Sequence, residues 1–113
     1  MSLRPDIGTI LQRLRADMQV LFPQDTVDTI LFGSYARGDE EPGSDIDVLV
    51  LVDASRKTIS ERNWQVGNAA AEYLLDYGIV VSPIVENREY YNMNADALPF
   101  YRNIRQEGVQ LGA

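Results

Sequence analysis

Residues 26–52 read TVDTILFGSYARGDEEPGSDIDVLVLV, two short apolar runs around a polar segment. The first run, 26–32, is rich in β-branched residues and stops at Gly33, which predicts a strand. The second, IDVLVLV over 46–52, is almost unbroken apolar sequence after Asp47. That is the pattern of a strand covered on both faces, and therefore central in its sheet. Between them RGDEEPGS, 37–44, contains Gly38, Pro42 and Gly43 and predicts a loop.

On the N-terminal side, Ile7, Ile10, Leu11, Leu14, Met18 and Leu21 recur at helical spacing. With Pro5 and Asp6 in the first turn and Pro23 beyond the end, they predict a helix over 5–21. On the C-terminal side, Val66, Ala70, Tyr73, Leu74 and Tyr77 recur at three and four before Gly78, which predicts a helix over 58–77. IVVSPIVE, 79–86, predicts a third strand, with Pro83 marking an edge or a bulge. Residues 87–94 read as irregular, and 98–107, ending at Gly108, as a short last helix. Tyr73 and Tyr77 fall at core spacing, whereas Tyr90 and Tyr91 lie in a polar stretch and are expected to be exposed. The order is helix, strand, strand, helix, strand, helix. It implies an α+β fold, a small mixed sheet with helices packed on one face.

The chain has 113 residues, 45% apolar and 24% charged, which suits one domain spanning 1–113. It contains no Cys and no His, so thiol or imidazole catalysis, structural zinc and Ser-His-Asp triads are excluded. No apolar stretch is long enough for a membrane span and no signal layout opens the chain, so a cytoplasmic protein without a membrane partner is expected. A net charge of −7 argues against broad nucleic-acid binding, and any phosphate ligand needs local help such as a metal.

Gly33-Ser34 is followed by ten residues and then Asp45-x-Asp47. Strand alternation sets Asp45 and Asp47 on one face, about 6.6 Å apart along the chain, with Ile46 turned inward. Two such carboxylates can share metal ions. Without His or Cys the site is all oxygen, which suits Mg²⁺ or Mn²⁺, and magnesium borrows substrate phosphates. Gly33 lets backbone approach a ligand, and Ser34 opens a short helical turn in which Arg37, three residues on, reaches the same side. The acidic run Asp39, Glu40, Glu41 reads as a solvated loop tip with no basic partner.

GSYARGDEEPGSDIDVLV resembles the signature of the nucleotidyltransferase superfamily in its minimal form, strongly over 26–52 and more loosely through the closing FYRNIRQEGVQL. The resemblance implies a mixed sheet of nucleotidyltransferase type, with Gly33 and Ser34 on a nucleoside triphosphate, ATP first among them. Arg37 and Ser44 complete the nucleotide-binding candidates. It also implies that Asp45 and Asp47 are the catalytic acids holding two Mg²⁺ ions, and that a nucleoside monophosphate is transferred to a hydroxyl. Many minimal members are paired with a HEPN-domain protein in toxin–antitoxin modules, where the transferase is the antitoxin and can adenylylate a partner tyrosine.

The family completes its metal site with a third carboxylate on the later strand. Here Ser82 occupies that place, and a serine is no base unaided. Glu86, on the same side, lies about 13 Å further along, out of reach without a bulge at Pro83. Two classes remain: a transferase whose acceptor comes from a partner, and a catalytically weak nucleotide-binding subunit acting by occlusion.

Overall fold

The computed structural model describes residues 6–111. Helix α1 (Ile7–Leu21) is followed by strand β1 (Asp28–Phe32), the short helix α2 (Ser34–Arg37) and strand β2 (Ile46–Val52). Helix α3 (Arg56–Tyr77), strand β3 (Val81–Asn87), helices α4 (Arg88–Asn94) and α5 (Pro99–Glu107) and strand β4 (Val109–Leu111) complete the order. The strands form one mixed sheet in the order β3-β2-β1-β4. β1 runs antiparallel to β2 and β4, while β2 and β3 are parallel. β2 is thus interior, as its apolar run requires, and β3, with Pro83, is an edge strand.

Alternation in β2 sorts the core into two layers. Ile46, Val48, Val50 and Val52 pack with Ile10, Leu14 and Met18 of α1 and Ile59, Val66 and Tyr73 of α3. Leu49 and Leu51 face the other way, onto Ile30 and Phe32 of β1, Tyr91 of α4, Ala95 just after it, and Ile104 of α5. The mixed α+β sheet is as expected from sequence, but the helices do not keep to one face. α4 and α5 cover the second, because Leu49 and Leu51 at odd positions of β2 are as apolar as the even ones.

Local chemistry sets the element ends. Asp6 caps α1 by accepting the Gly8 N–H at 2.9 Å, so the helix begins at Ile7, and Pro5 lies outside the described residues. Ser55 accepts the Thr58 N–H at 3.1 Å and starts α3 at Arg56, two residues before the expected 58. Leu74, expected inward, is exposed. Residues 88–94, expected to be irregular, are helical. Asn87 caps that helix by accepting the Tyr90 N–H at 2.8 Å, and Tyr91 is buried rather than exposed. At the end of the sheet where β1 begins, Arg88 ties elements together through Asp28, Asp53 and the Thr26 and Leu51 carbonyls. No described helix is long and apolar enough to cross a membrane.

Candidate active site

The end of the sheet where β1 finishes and β2 and β3 begin gathers the singled-out residues. Phe32 pairs with Asp47, and Asp47 pairs with Ser82, so the three form a row across β1, β2 and β3 with side chains on one face. Asp45 precedes β2 and is exposed, Ile46 is fully buried, and Asp47 is half-buried. Burial pushes the Asp47 carboxyl above the ordinary carboxylate range, the neighbouring Asp45 pushes it further, and the Arg37 guanidinium pulls it back. Asp45 and Arg37 are therefore the charges that act on Asp47.

Gly33 joins β1 to α2 at φ 75° and ψ −156°, a region open essentially only to glycine. A Cβ on Gly33 would lie 2.4 Å from Asp47 Oδ2. The turn after the first strand thus closes directly onto the acid of the second. Ser34 opens α2, whose first turn is closed by the Ala36 and Arg37 N–H groups donating to the Gly33 carbonyl, each at 3.1 Å.

One expectation about the intervening loop changes. Arg37 donates from Nε to Asp39 Oδ2 at 3.2 Å, so the acidic tip has a basic partner after all. Ser44 sits at the end of a Pro42-Gly43 turn. Its N–H donates to the Glu41 carbonyl and its Oγ accepts the Glu41 N–H, both at 2.9 Å, which closes that turn.

Glu107, which the local sequence did not single out, enters from the end of α5. Its Oε1 accepts the Gly33 N–H at 3.3 Å, and both its oxygens accept from Arg37 Nη1 at 3.3 Å. Hydrogen bonds to Asp39 and Glu107 hold the Arg37 guanidinium above its ordinary pKa. Ser82 stands directly opposite Asp47, while Glu86 pairs with Leu51 in an unbroken register. Glu86 is buried and committed elsewhere, accepting from Tyr101 at 2.5 Å, Arg56 at 3.2 Å and its neighbour's N–H at 2.7 Å. Among the described residues no group of three or more Asp, Glu, His or Cys converges as a metal cluster.

The family model of the nucleotidyltransferase domain matches residues 11–105. The chain belongs to the nucleotidyltransferase domain family. This nucleotidyltransferase is 39% identical over 79 residues to "Putative protein adenylyltransferase MJ0604" of Methanocaldococcus jannaschii, covering 70% of this chain and 71% of that protein. It is 38% identical over 80 residues to "Putative protein adenylyltransferase MJ0141" of the same organism, covering 71% and 79%. A third relative there, "Putative protein adenylyltransferase MJ1305", is 36% identical over 84 residues, which are 74% of this chain and 57% of that one. Among solved structures, a toxin–antitoxin with AMP-PNP aligns at a TM-score of 0.49 and 18% identity, covering 88% of this chain and 73% of that chain.

Proposed function

We propose that this nucleotidyltransferase moves adenosine monophosphate from ATP to a hydroxyl on a protein. The observation that carries the reading is the abutment of Gly33 on Asp47, which joins the phosphate-approaching turn to the acid pair with no room for a side chain between them. The relatives named as protein adenylyltransferases support the donor and the kind of acceptor. We assign Asp45 and Asp47 to a pair of Mg²⁺ or Mn²⁺ ions. The donor set fits: it is all oxygen, and Asp47 is raised by burial and by Asp45, a like-charge strain that a hard cation relieves. When bound, such ions neutralise the triphosphate and the departing pyrophosphate.

The chain's own residues do the rest. Gly33 admits the phosphates to the backbone, while Ser34 and Arg37 offer them a hydroxyl and a guanidinium. Ser44, in the loop that leads to Asp45, remains a further hydroxyl we assign to the nucleotide. In the transfer, the acceptor oxygen bonds to the α-phosphorus and the bond to the bridging oxygen breaks, releasing pyrophosphate with the electron pair. The acceptor proton passes to solvent, since Ser82 is no base at neutral pH. The acceptor we propose is a tyrosine of a HEPN-type partner, with this chain as the antitoxin.

A second reading, a weakly active nucleotide-binding subunit acting by occlusion, is favoured by one observation: the residue opposite Asp47 is Ser82, not an acid. Incubation with ATP labelled at the α-phosphate, Mg²⁺ and the neighbour-encoded protein separates the two. Label transferred to a partner tyrosine, and lost in both Asp45→Asn and Asp47→Asn with the fold intact, supports transfer. Metal-dependent ATP binding without transfer supports occlusion, and neither binding nor transfer sinks both.

A further inference from the structure

Glu107 and Gly108 form the corner between α5 and β4. A Cβ on Gly108 would lie 2.4 Å from the Ile104 carbonyl oxygen and 2.6 Å from Ile30 Cγ2, so only glycine lets the end of α5 press against β1. That close approach fixes where the preceding side chain can go. Glu107 is carried to the residue that follows β1, where it takes the Gly33 N–H and Arg37 Nη1. Arg37 Nε is held by Asp39, while Nη2 makes no hydrogen bond among the described residues. The guanidinium is thus held by two carboxylates, through Nε and Nη1, and keeps Nη2 as a donor.

β1 lies between β2 and β4 in the sheet. Asp47 meets Gly33 from the β2 flank, where a Cβ would point, whereas Glu107 arrives from the end of α5, next to β4. Its carboxylate meets the Gly33 N–H and Arg37 Nη1, and it is only partly exposed, at 31%.

We propose that Glu107 is a positioning residue for nucleotide binding, holding the Gly33 turn and the Arg37 guanidinium in the arrangement that receives the triphosphate. The role rests on the nucleotide reading of the preceding subsection. It is one of preorganisation: a long, flexible side chain set in place before the ligand arrives loses less freedom on binding. Glu107 touches no reacting atom and acts only through its two partners.

The test is titration of Mg²⁺-ATP into the full chain and its variants, with circular dichroism as a check on folding. Glu107→Ala weakens binding by about tenfold or more, the usual scale for an outer partner of a ligand-holding group. Glu107→Gln keeps an acceptor for the Gly33 N–H but loses the charge on Arg37, and falls between the two. Adding Glu107→Ala to Arg37→Ala brings less than the full further loss, because part of the Glu107 effect passes through Arg37 and the rest through the Gly33 N–H; a role confined to fold stability adds in full. Without nucleotide, the Gly33 amide exchanges faster in Glu107→Ala than in the wild type. Unchanged or tighter binding by Glu107→Ala overturns the proposal, tighter binding marking the carboxylate as a competitor of phosphate. Full additivity with Arg37→Ala overturns it as well. Failure of the wild type to bind Mg²⁺-ATP overturns the nucleotide reading itself, and this role with it; faster Gly33 exchange in that case shows a purely structural brace.

Discussion

Gly33 at φ 75° and ψ −156° occupies a conformation that penalises any other residue by roughly 1–3 kcal/mol, and its missing Cβ is the space taken by Asp47 Oδ2. Gly33→Ala is therefore expected to lower the unfolding free energy in urea by about 1–3 kcal/mol and to abolish Mg²⁺-ATP binding. Combining it with Asp47→Ala removes the clash but not the backbone strain, so the double variant is expected to be more stable than the sum of the single changes. A strictly additive pair would show that the carboxylate rotates away freely. The residues of this pair were legible in the sequence because their chemistry is local: a glycine ends one strand and an acid opens the next. Glu107 was not, since its contact with Gly33 spans 74 residues and no local pattern announces it. Asp39 was misread for a related reason. Its partner Arg37 sits two residues away across the end of α2, where the chain turns back on itself.

Elements with a strong period were read correctly, and those held by tertiary contacts were not. β2 coincides with its expected span because six of its seven residues are buried, on two faces, which leaves an apolar run unbroken after Asp47. α4, REYYNMN, has little apolar sequence and depends on Tyr91 docking in the second core layer, while β4 is three residues long and exists through pairing with β1. The parallel register of β2 and β3 also decides the meaning of Ser82. It is unbroken from Ile46↔Val81 to Val52↔Asn87, so Pro83 makes no bulge and a side chain at 82 shares the row of Asp47. Ser82→Asp is expected to raise transfer by at least about tenfold, the low end of what a positioned base contributes, measured as labelled adenylate on the acceptor. Strong wild-type turnover that ignores the change would place the base elsewhere. A further element-scale expectation concerns two tyrosines that join layers. Tyr73 of α3 donates to Asp17 of α1 at 2.6 Å, and Tyr101 of α5 to Glu86 of β3 at 2.5 Å. Burial first, and then the carboxylate each faces, raises both above the ordinary 10.0. The folded state keeps these protons where the unfolded chain releases them, so the stability they supply is whole below pH 10 and is lost as pH rises above it. Alkaline titration followed by tyrosinate absorbance should show Tyr73 and Tyr101 ionising together with unfolding; early, reversible ionisation of all six tyrosines in a folded chain would contradict it.

At the scale of the molecule, the sheet separates stability from chemistry. Arg88 and its carboxylates tie the end where β1 begins, and the acid pair, the Gly33 turn and Glu107 occupy the other. Around both lies a net charge of −7, with Asp45 and Asp47 adding their own charge where a triphosphate would sit. An anionic ligand approaching such a surface is repelled at long range, and Arg37, already shared between Asp39 and Glu107, offsets only part of that. The balance changes sign when a divalent cation accompanies the nucleotide, because its charge is the largest local one. Calorimetric titration should therefore show binding of Mg²⁺-ATP and little or none of ATP with chelator. The salt response carries the same argument further. An ordinary basic phosphate site weakens as monovalent salt rises, since its attraction is screened. Here the long-range term is repulsive, so residual binding of metal-free ATP should strengthen, or hold constant, between low and moderate salt. A steep loss of metal-free binding with salt would mean that a cationic surface, rather than a metal held by the acid pair as proposed, attracts the nucleotide.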